Sequence, residues 1–254
     1  MLFLLMGQRT CIREQLTCCG SIINDGAKMS ETLLLWDVDG TLVNTGRAGE
    51  LALARALEDW GLPPVPDVVE IAGRTDRAIV RSLLQYYQQP SDDLAVAVFC
   101  TMYLRHLPKC VQERRCIGYL YPGVKDLLQA ADALGWTQGL VTGNLRDGAK
   151  TKLSAYGIWS HFAFGAFADD SEDRNDLPQI AAQRALSHGL SRLDPSRTWI
   201  IGDTPRDVTC AKYSGFRCLA VATGSYSVQA LQNAGADVVL ENLSDTAQVL
   251  LALG

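Results

Sequence analysis

Short apolar runs recur along this 254-residue chain at 32–36 (TLLLW), 138–141 (QGLV), 198–201 (TWII), 218–222 (CLAVA) and 237–240 (DVVL), and no other feature restricts its fold as tightly. Runs that are apolar throughout, rather than at alternate positions, read as strands buried on both faces, the usual condition of a parallel sheet. Helical patterns lie between the later runs, at 123–134, 146–156, 177–189, 205–214 and 227–233. Strand and helix in alternation predict an α/β fold, a doubly wound Rossmann-like parallel sheet with crossover helices on both faces. The stretch 45–119 differs: it holds helical patterns at 47–60, 76–87 and 91–106, broken by Gly61-Leu62-Pro63-Pro64 and by Pro90, and no comparable strand run. It reads as an inserted α-helical cap closing over the end of the first strand, with 30–44 and 120–254 forming the core.

Residues 1–29 stand apart as a leader, a disordered tail or the product of a misplaced start. The apolar run at 2–6 (LFLLM) has no basic residue before it and is shorter than the roughly 7–15 residues of a signal-peptide core. It also falls far short of the about 20 residues a membrane span requires. Met29 stands just ahead of the first convincing strand. The net charge of −5, with no Lys/Arg block longer than a pair, provides no electrostatic footprint for nucleic acid or an anionic membrane. A small anionic substrate therefore needs a local positive site, most simply a metal. The eight cysteines are scattered without C-x-x-C spacing, which predicts reduced thiols in a cytoplasmic protein.

Ligands of an open α/β sheet bind beyond the carboxyl ends of its strands. Four polar clusters fall there: Asp37-Val38-Asp39-Gly40-Thr41, Thr142-Gly143-Asn144, Gly202-Asp203-Thr204-Pro205-Arg206-Asp207 and Thr223-Gly224. Asp37 and Asp39 are two apart, so an extended backbone sends both carboxylates to one face. Gly40 permits a sharp turn where a Cβ would obstruct a bound anion.

DVDGT, VTGN and IIGDTPRD together resemble the motifs of the haloacid dehalogenase-like (HAD) hydrolase superfamily, in the subgroup with a helical cap after the first motif. The resemblance covers about residues 32–254, and Tyr121-Pro122-Gly123-Val124 matches a turn of its phosphoglycolate phosphatase-like members. It implies a Mg²⁺-dependent phosphatase in which Asp37 is the nucleophile and passes through an aspartyl-phosphate. Covalent catalysis of this kind splits hydrolysis into two easier steps. Asp39 is then the general acid, and afterwards the base. The implied Mg²⁺ ligands are Asp37, the Asp39 carbonyl and Asp203, with Asp207 further out or reaching the metal through water. Thr142 and the backbone N–H groups of Gly143 and Asn144 are placed to hold phosphoryl oxygens at the start of the helix near Arg146, with Gly40 and Thr41 beside them. The family's usual lysine is absent from 169–178 (DDSEDRNDLP); Arg174 aligns best, and Lys150 and Lys152 compete with it. In the cap, Arg74 of Gly73-Arg74-Thr75-Asp76 is a candidate for a substrate's distal carboxylate or phosphate, while Thr75 or Asp76 can cap the next helix.

The retained acidic set argues against a dehalogenase, which needs neither the metal nor Asp39. The absence of lysine from 45–108 argues against a phosphonate hydrolase that uses a cap lysine. A phosphomutase, a pyrophosphatase and a non-catalytic binder of phosphorylated ligands remain as alternatives to a phosphatase acting on a small phosphorylated substrate such as phosphoglycolate, a sugar phosphate or a nucleotide. His106, His161 and His188 are isolated, and no nucleophile-elbow serine, P-loop or dinucleotide fingerprint is present.

Overall fold

The computed structural model describes residues 31–254, so the reading of residues 1–29 lies outside the described residues. In chain order, β1 (Leu33–Trp36) and β2 (Val43–Asn44) lead into α1 (Ala48–Trp60), α2 (Asp76–Tyr86) and α3 (Asp93–Arg114). β3 (Tyr119–Leu120), α4 (Val124–Ala133), β4 (Thr137–Val141), α5 (Arg146–Ala155), β5 (Gly165–Ala166) and α6 (Leu177–Ser187) follow. The chain ends with β6 (Thr198–Gly202), α7 (Pro205–Ser214), β7 (Arg217–Val221), α8 (Val228–Ala234), β8 (Val238–Leu240) and α9 (Thr246–Leu253).

Six of these strands form one parallel sheet in the order β5-β4-β1-β6-β7-β8. The first strand is central because both its faces are apolar. Leu34 and Trp36 pack into the cluster that also holds Leu127, Leu153 and Val249, on the side of α4, α5 and α9. Leu33 and Leu35 enter the opposite cluster with Leu177, Val208 and Leu231, beneath α6, α7 and α8. Side chains alternate across a strand, so a run apolar at every position fits a sheet covered on both faces. All four β1 side chains are essentially fully buried, and truncating one such leucine to alanine costs about 2–5 kcal/mol. After β5 the chain crosses to β6 on the other side of β1, so strand order reverses beside β1. That reversal opens the crevice where α/β sheets bind ligands.

The cap consists of α1, α2 and α3 around a separate core that includes Leu57, Leu83, Phe99 and Leu107. Its second and third helices begin on side-chain caps, Thr75 accepting from the Ala78 amide and Asp92 from that of Ala95. The two chain crossings into the cap lie side by side as the antiparallel β2–β3 ribbon, Val43 opposite Leu120 and Asn44 opposite Tyr119.

The sequence pattern ends the third cap helix near residue 106, yet α3 continues through Pro108 to Arg114. Leu107, Cys110 and Val111 are buried within the cap core, and that packing outweighs the local cost of the proline. By length and composition α3 is, among the described residues, the one helix apolar enough to cross a membrane; its Val96, Phe99, Tyr103 and Leu107 form the cap core. The two-residue strands β2, β3 and β5 and the terminal α9 are further elements that the sequence pattern does not anticipate.

Candidate active site

The carboxyl ends of β1, β4, β6 and β7 meet in a cavity of about 780 Å³ roofed by the cap. Asp37 follows β1 directly, held by its amide's hydrogen bond to the Ile201 carbonyl of β6 (2.9 Å). Asp203 leaves β6, and Asp207 lies in the first turn of α7. Oxygens of these three buried carboxylates all lie within 4.8 Å of one another.

Such a cluster requires positive charge. Arg174, itself buried, places Nη2 3.1 Å from Asp37 Oδ1 and 2.5 Å from Asp207 Oδ1. Burial works against the guanidinium's charge, but Asp207 and Asp37 outweigh it and hold Arg174 protonated. One cation does not balance three anions. Burial lifts the Asp37 carboxyl to about 6 even with Arg174 pulling it down and Asp207 pushing it up. Asp203 is raised well above the carboxylate range by burial, then by Asp37 and Asp207; the hydroxyl of Thr41, donating at 3.2 Å, opposes this only partly.

These residues fit a divalent cation. A Cβ on Gly224 would lie 1.7 Å from Asp203 Oδ2, and one on Gly40, whose φ is +82°, would lie 2.3 Å from the same oxygen. Both glycines therefore keep space clear around that carboxylate. Asp207 is already engaged on both oxygens: Oδ1 by Arg174, and Oδ2 by the amide (3.0 Å) and hydroxyl (2.7 Å) of Thr204 in a capping box. Asp37 and Asp203 are thus better placed than Asp207 to offer oxygens to a metal. Mg²⁺ takes one or two protein carboxylates and fills its remaining positions with water or substrate oxygen.

Asp39 lines the same cavity, with its side chain 44% exposed. Its Oδ2 accepts from Asn144 Nδ2 (2.8 Å) and from Lys152 Nζ (2.6 Å). Asn144 Nδ2 also donates to Thr142 Oγ1 at 2.8 Å. Of the three basic candidates, Arg174 meets Asp37, Lys152 meets Asp39, and Lys150 lies exposed on α5.

Two placements bear on the sequence reading. Of the two amides read as phosphate donors, that of Asn144 donates to Thr142 Oγ1 at 3.3 Å, and the next two amides, where α5 begins, have carboxylate partners: Leu145 N–H donates to Asp76 (2.8 Å) and Arg146 N–H to Asp169 (2.6 Å). These carboxylates hold the same partial positive charge a phosphate would use. Arg74, in the loop before α2, lines the cavity, but its guanidinium turns onto that helix, to the Ala78 carbonyl (3.1 Å) and the Ser82 hydroxyl (2.9 Å). Thr75 rather than Asp76 caps α2. The partly buried Asp76 carboxyl is lifted to about 6 by desolvation, against the pull of Lys152 and the Leu145 amide.

The cap docks on the core through several contacts. The Asp76 amide donates to the Gly143 carbonyl (2.6 Å), Arg206 meets Glu70 (2.6 Å), and Arg81 pairs with Glu172, two residues before Arg174. A Cβ on Gly143 would fall 2.1 Å from the Arg74 carbonyl, so this glycine allows the cap backbone to sit directly on the site.

The model of the haloacid dehalogenase-like hydrolase family matches residues 34–221. The chain is 27% identical to the probable phosphatase IndB of Dickeya dadantii over 223 residues, covering 87% of this chain and 94% of that one. It is 29% identical to a phosphoglycolate phosphatase of Synechococcus elongatus over 226 residues, covering 87% and 97%. Its fold superposes on CbbY from Rhodobacter sphaeroides in complex with phosphate, with a TM-score of 0.69, 20% identity and coverage of 85% and 96%. With its match spanning most of the described chain, and its acidic residues gathered where the strands end, the protein belongs to the haloacid dehalogenase-like hydrolases.

Proposed function

We propose that this hydrolase is a Mg²⁺-dependent phosphatase that cleaves a small phosphate monoester through an aspartyl-phosphate on Asp37. The convergence of Asp37, Asp203 and Asp207 on Arg174, with Asp39 facing the same cavity, carries this reading. Asp37 attacks phosphorus while Asp39 gives a proton to the departing oxygen. Asp39 then accepts a proton from the water that cleaves the acyl phosphate. Arg174 orients Asp37 and faces the charge of the transferring phosphoryl group; Thr142, Gly143, Asn144 and Gly40 line the same cavity, and Thr41 donates to Asp203 beside it. Asp37 and Asp203 would hold Mg²⁺, aided by the Asp39 carbonyl and Asp207, and the bound ion would neutralise carboxylate and phosphate charge.

The cap side of the cavity favours a leaving group without a second negative charge. Leu53, Val65, Val69, Ile71 and Val80 contribute apolar surface. Arg47 forms an ion pair with Glu50, and Arg74 is engaged by Ala78 and Ser82 of α2. Asp67 and Asp76 add negative charge to the lining. A sugar-like or nucleoside-like phosphate suits this lining better than phosphoglycolate. The free thiols at Cys100, Cys110, Cys116, Cys210 and Cys218 accord with a reducing, cytoplasmic setting.

The test is phosphate release from a panel of neutral and carboxylate-bearing phosphoesters, with Mg²⁺ or EDTA, for wild type and Asp37→Asn. We expect metal-dependent turnover that the substitution abolishes, with neutral esters preferred. Turnover that survives in Asp37→Asn would exclude the mechanism, and preference for phosphoglycolate would exclude the substrate assignment.

A further inference from the structure

Lys152 is a buried ammonium that the proposed reaction leaves without a role. Its side chain, on the second turn of α5, is 5% exposed, and lysine is rarely buried unless its charge is paired. Nζ lies 2.6 Å from Asp39 Oδ2 and 2.6 Å from Asn144 Oδ1. Asn144 Nδ2 reaches the same Asp39 oxygen at 2.8 Å. The three side chains thus close a ring in which every donor aimed at Asp39 uses Oδ2. Among the described residues no donor meets Oδ1, and the Asp39 side chain remains 44% exposed on the cavity.

A carboxylate at a cavity wall can rotate about χ2 and exchange its two oxygens, since that torsion is broad. Two hydrogen bonds from separate positions on one oxygen remove that freedom, and both donors are anchored, Lys152 by α5 and Asn144 by its bond to Thr142. We infer that Lys152, with Asn144, is a positioning residue for Asp39: the pair fixes Oδ2 in the wall and presents Oδ1 to the leaving-group oxygen. The inference rests on the phosphatase reading above. Lys152 acts through Asp39 and does not touch the reacting phosphorus, which separates its role from that of Arg174 on Asp37.

As the bond between phosphorus and the ester oxygen breaks, the proton on Oδ1 passes to the departing alkoxide. Asp39 is left as a carboxylate, with Oδ2 still held by Lys152 and Asn144. The contribution of Lys152 should therefore scale with how much the leaving group needs a proton.

The experiment compares kcat/KM for an alkyl phosphate and for p-nitrophenyl phosphate, in wild type, Asp39→Asn, Lys152→Met and the double variant. This ratio reads the steps up to departure of the leaving group, and nitrophenolate departs with little need of a proton. General acid catalysis contributes about 10²–10⁴-fold, so Asp39→Asn should lose about that factor on the alkyl ester and far less on the nitrophenyl ester. Lys152→Met should lose at least about tenfold on the alkyl ester, with the same selectivity, and should add little in the double variant. If Lys152→Met does not fold, Lys152→Arg, which keeps the charge but displaces the donor, gives the same comparison. Equal losses on both esters, or no loss, would overturn the positioning role. A flat leaving-group response in Asp39→Asn itself would overturn the general-acid assignment, and the Lys152 inference with it.

Discussion

Replacing Arg174 by methionine keeps an extended side chain while removing the guanidinium between Asp37 at 3.1 Å and Asp207 at 2.5 Å. All three groups are buried, so the change leaves two desolvated carboxylates facing each other, with Asp203 as a third. Removing one partner of a buried ion pair costs about 3–5 kcal/mol. For a chain of this size each kcal/mol shifts the melting midpoint by roughly 2–4 °C, which places the metal-free variant about 6–20 °C below wild type. Mg²⁺ would restore part of the missing charge, so it should raise the variant's midpoint by more than that of wild type. In turnover, the loss of a charged group facing the phosphoryl oxygens should reduce kcat by about 10²–10³-fold. Arg174→Lys should recover part of both. Differential scanning fluorimetry in EDTA and in Mg²⁺, paired with phosphate release, reads all of these outcomes. An unchanged midpoint in EDTA together with an unchanged kcat would refute the placement of Arg174 between Asp37 and Asp207.

Other substitutions probe separate parts of the site. Asp76→Asn should stabilise the protein at alkaline pH. The folded carboxyl titrates near 6 rather than at its ordinary 3.8, so the folded state holds its proton more tightly, and stability falls as pH rises between those values. Above that window the full penalty of at most about 3 kcal/mol applies; chemical denaturation should show a gain for Asp76→Asn at pH 8 and little difference at pH 3. Gly224→Ala sets a Cβ 1.7 Å from Asp203 Oδ2 and should weaken Mg²⁺ binding at least about tenfold by calorimetry, since Asp203 must move; unchanged affinity would remove Asp203 from the metal site. Gly143→Ala sets a Cβ 2.1 Å from the Arg74 carbonyl and should push the cap outward, visible as faster hydrogen exchange at the Asp76 amide; unchanged protection there would show that the cap does not rest on Gly143.

The sheet was legible because its strands are buried on both faces. An unbroken run such as LLLW admits few other environments, and the polar residues that end each run mark the ligand-binding edge. The two-residue strand at Gly165–Ala166 has too little sequence to carry a period, and it forms because β4 offers an open edge at Leu140 and Val141. Pro108 misleads for a related reason, since the burial that carries α3 past it comes from residues distant in sequence. Within the site, Asp37, Asp39, Asp203 and Asp207 follow strand ends and could be located from spacing alone. The partners of the basic residues could not. Whether Arg174 or Lys152 meets Asp37 depends on how the 169–176 loop and α5 pack, and the structure gives the two cations different carboxylates. Arg74 likewise has the right position in sequence, while its direction is set by acceptors on α2.

Phosphorylation of Asp37 during turnover is tested by acid-quenched turnover of a substrate labelled in its phosphate, followed by peptide mapping. Hydroxylamine-labile label should appear on the peptide containing Asp37 in wild type and be absent from Asp37→Asn. Turnover with no label on that peptide, or label that persists in Asp37→Asn, would contradict it.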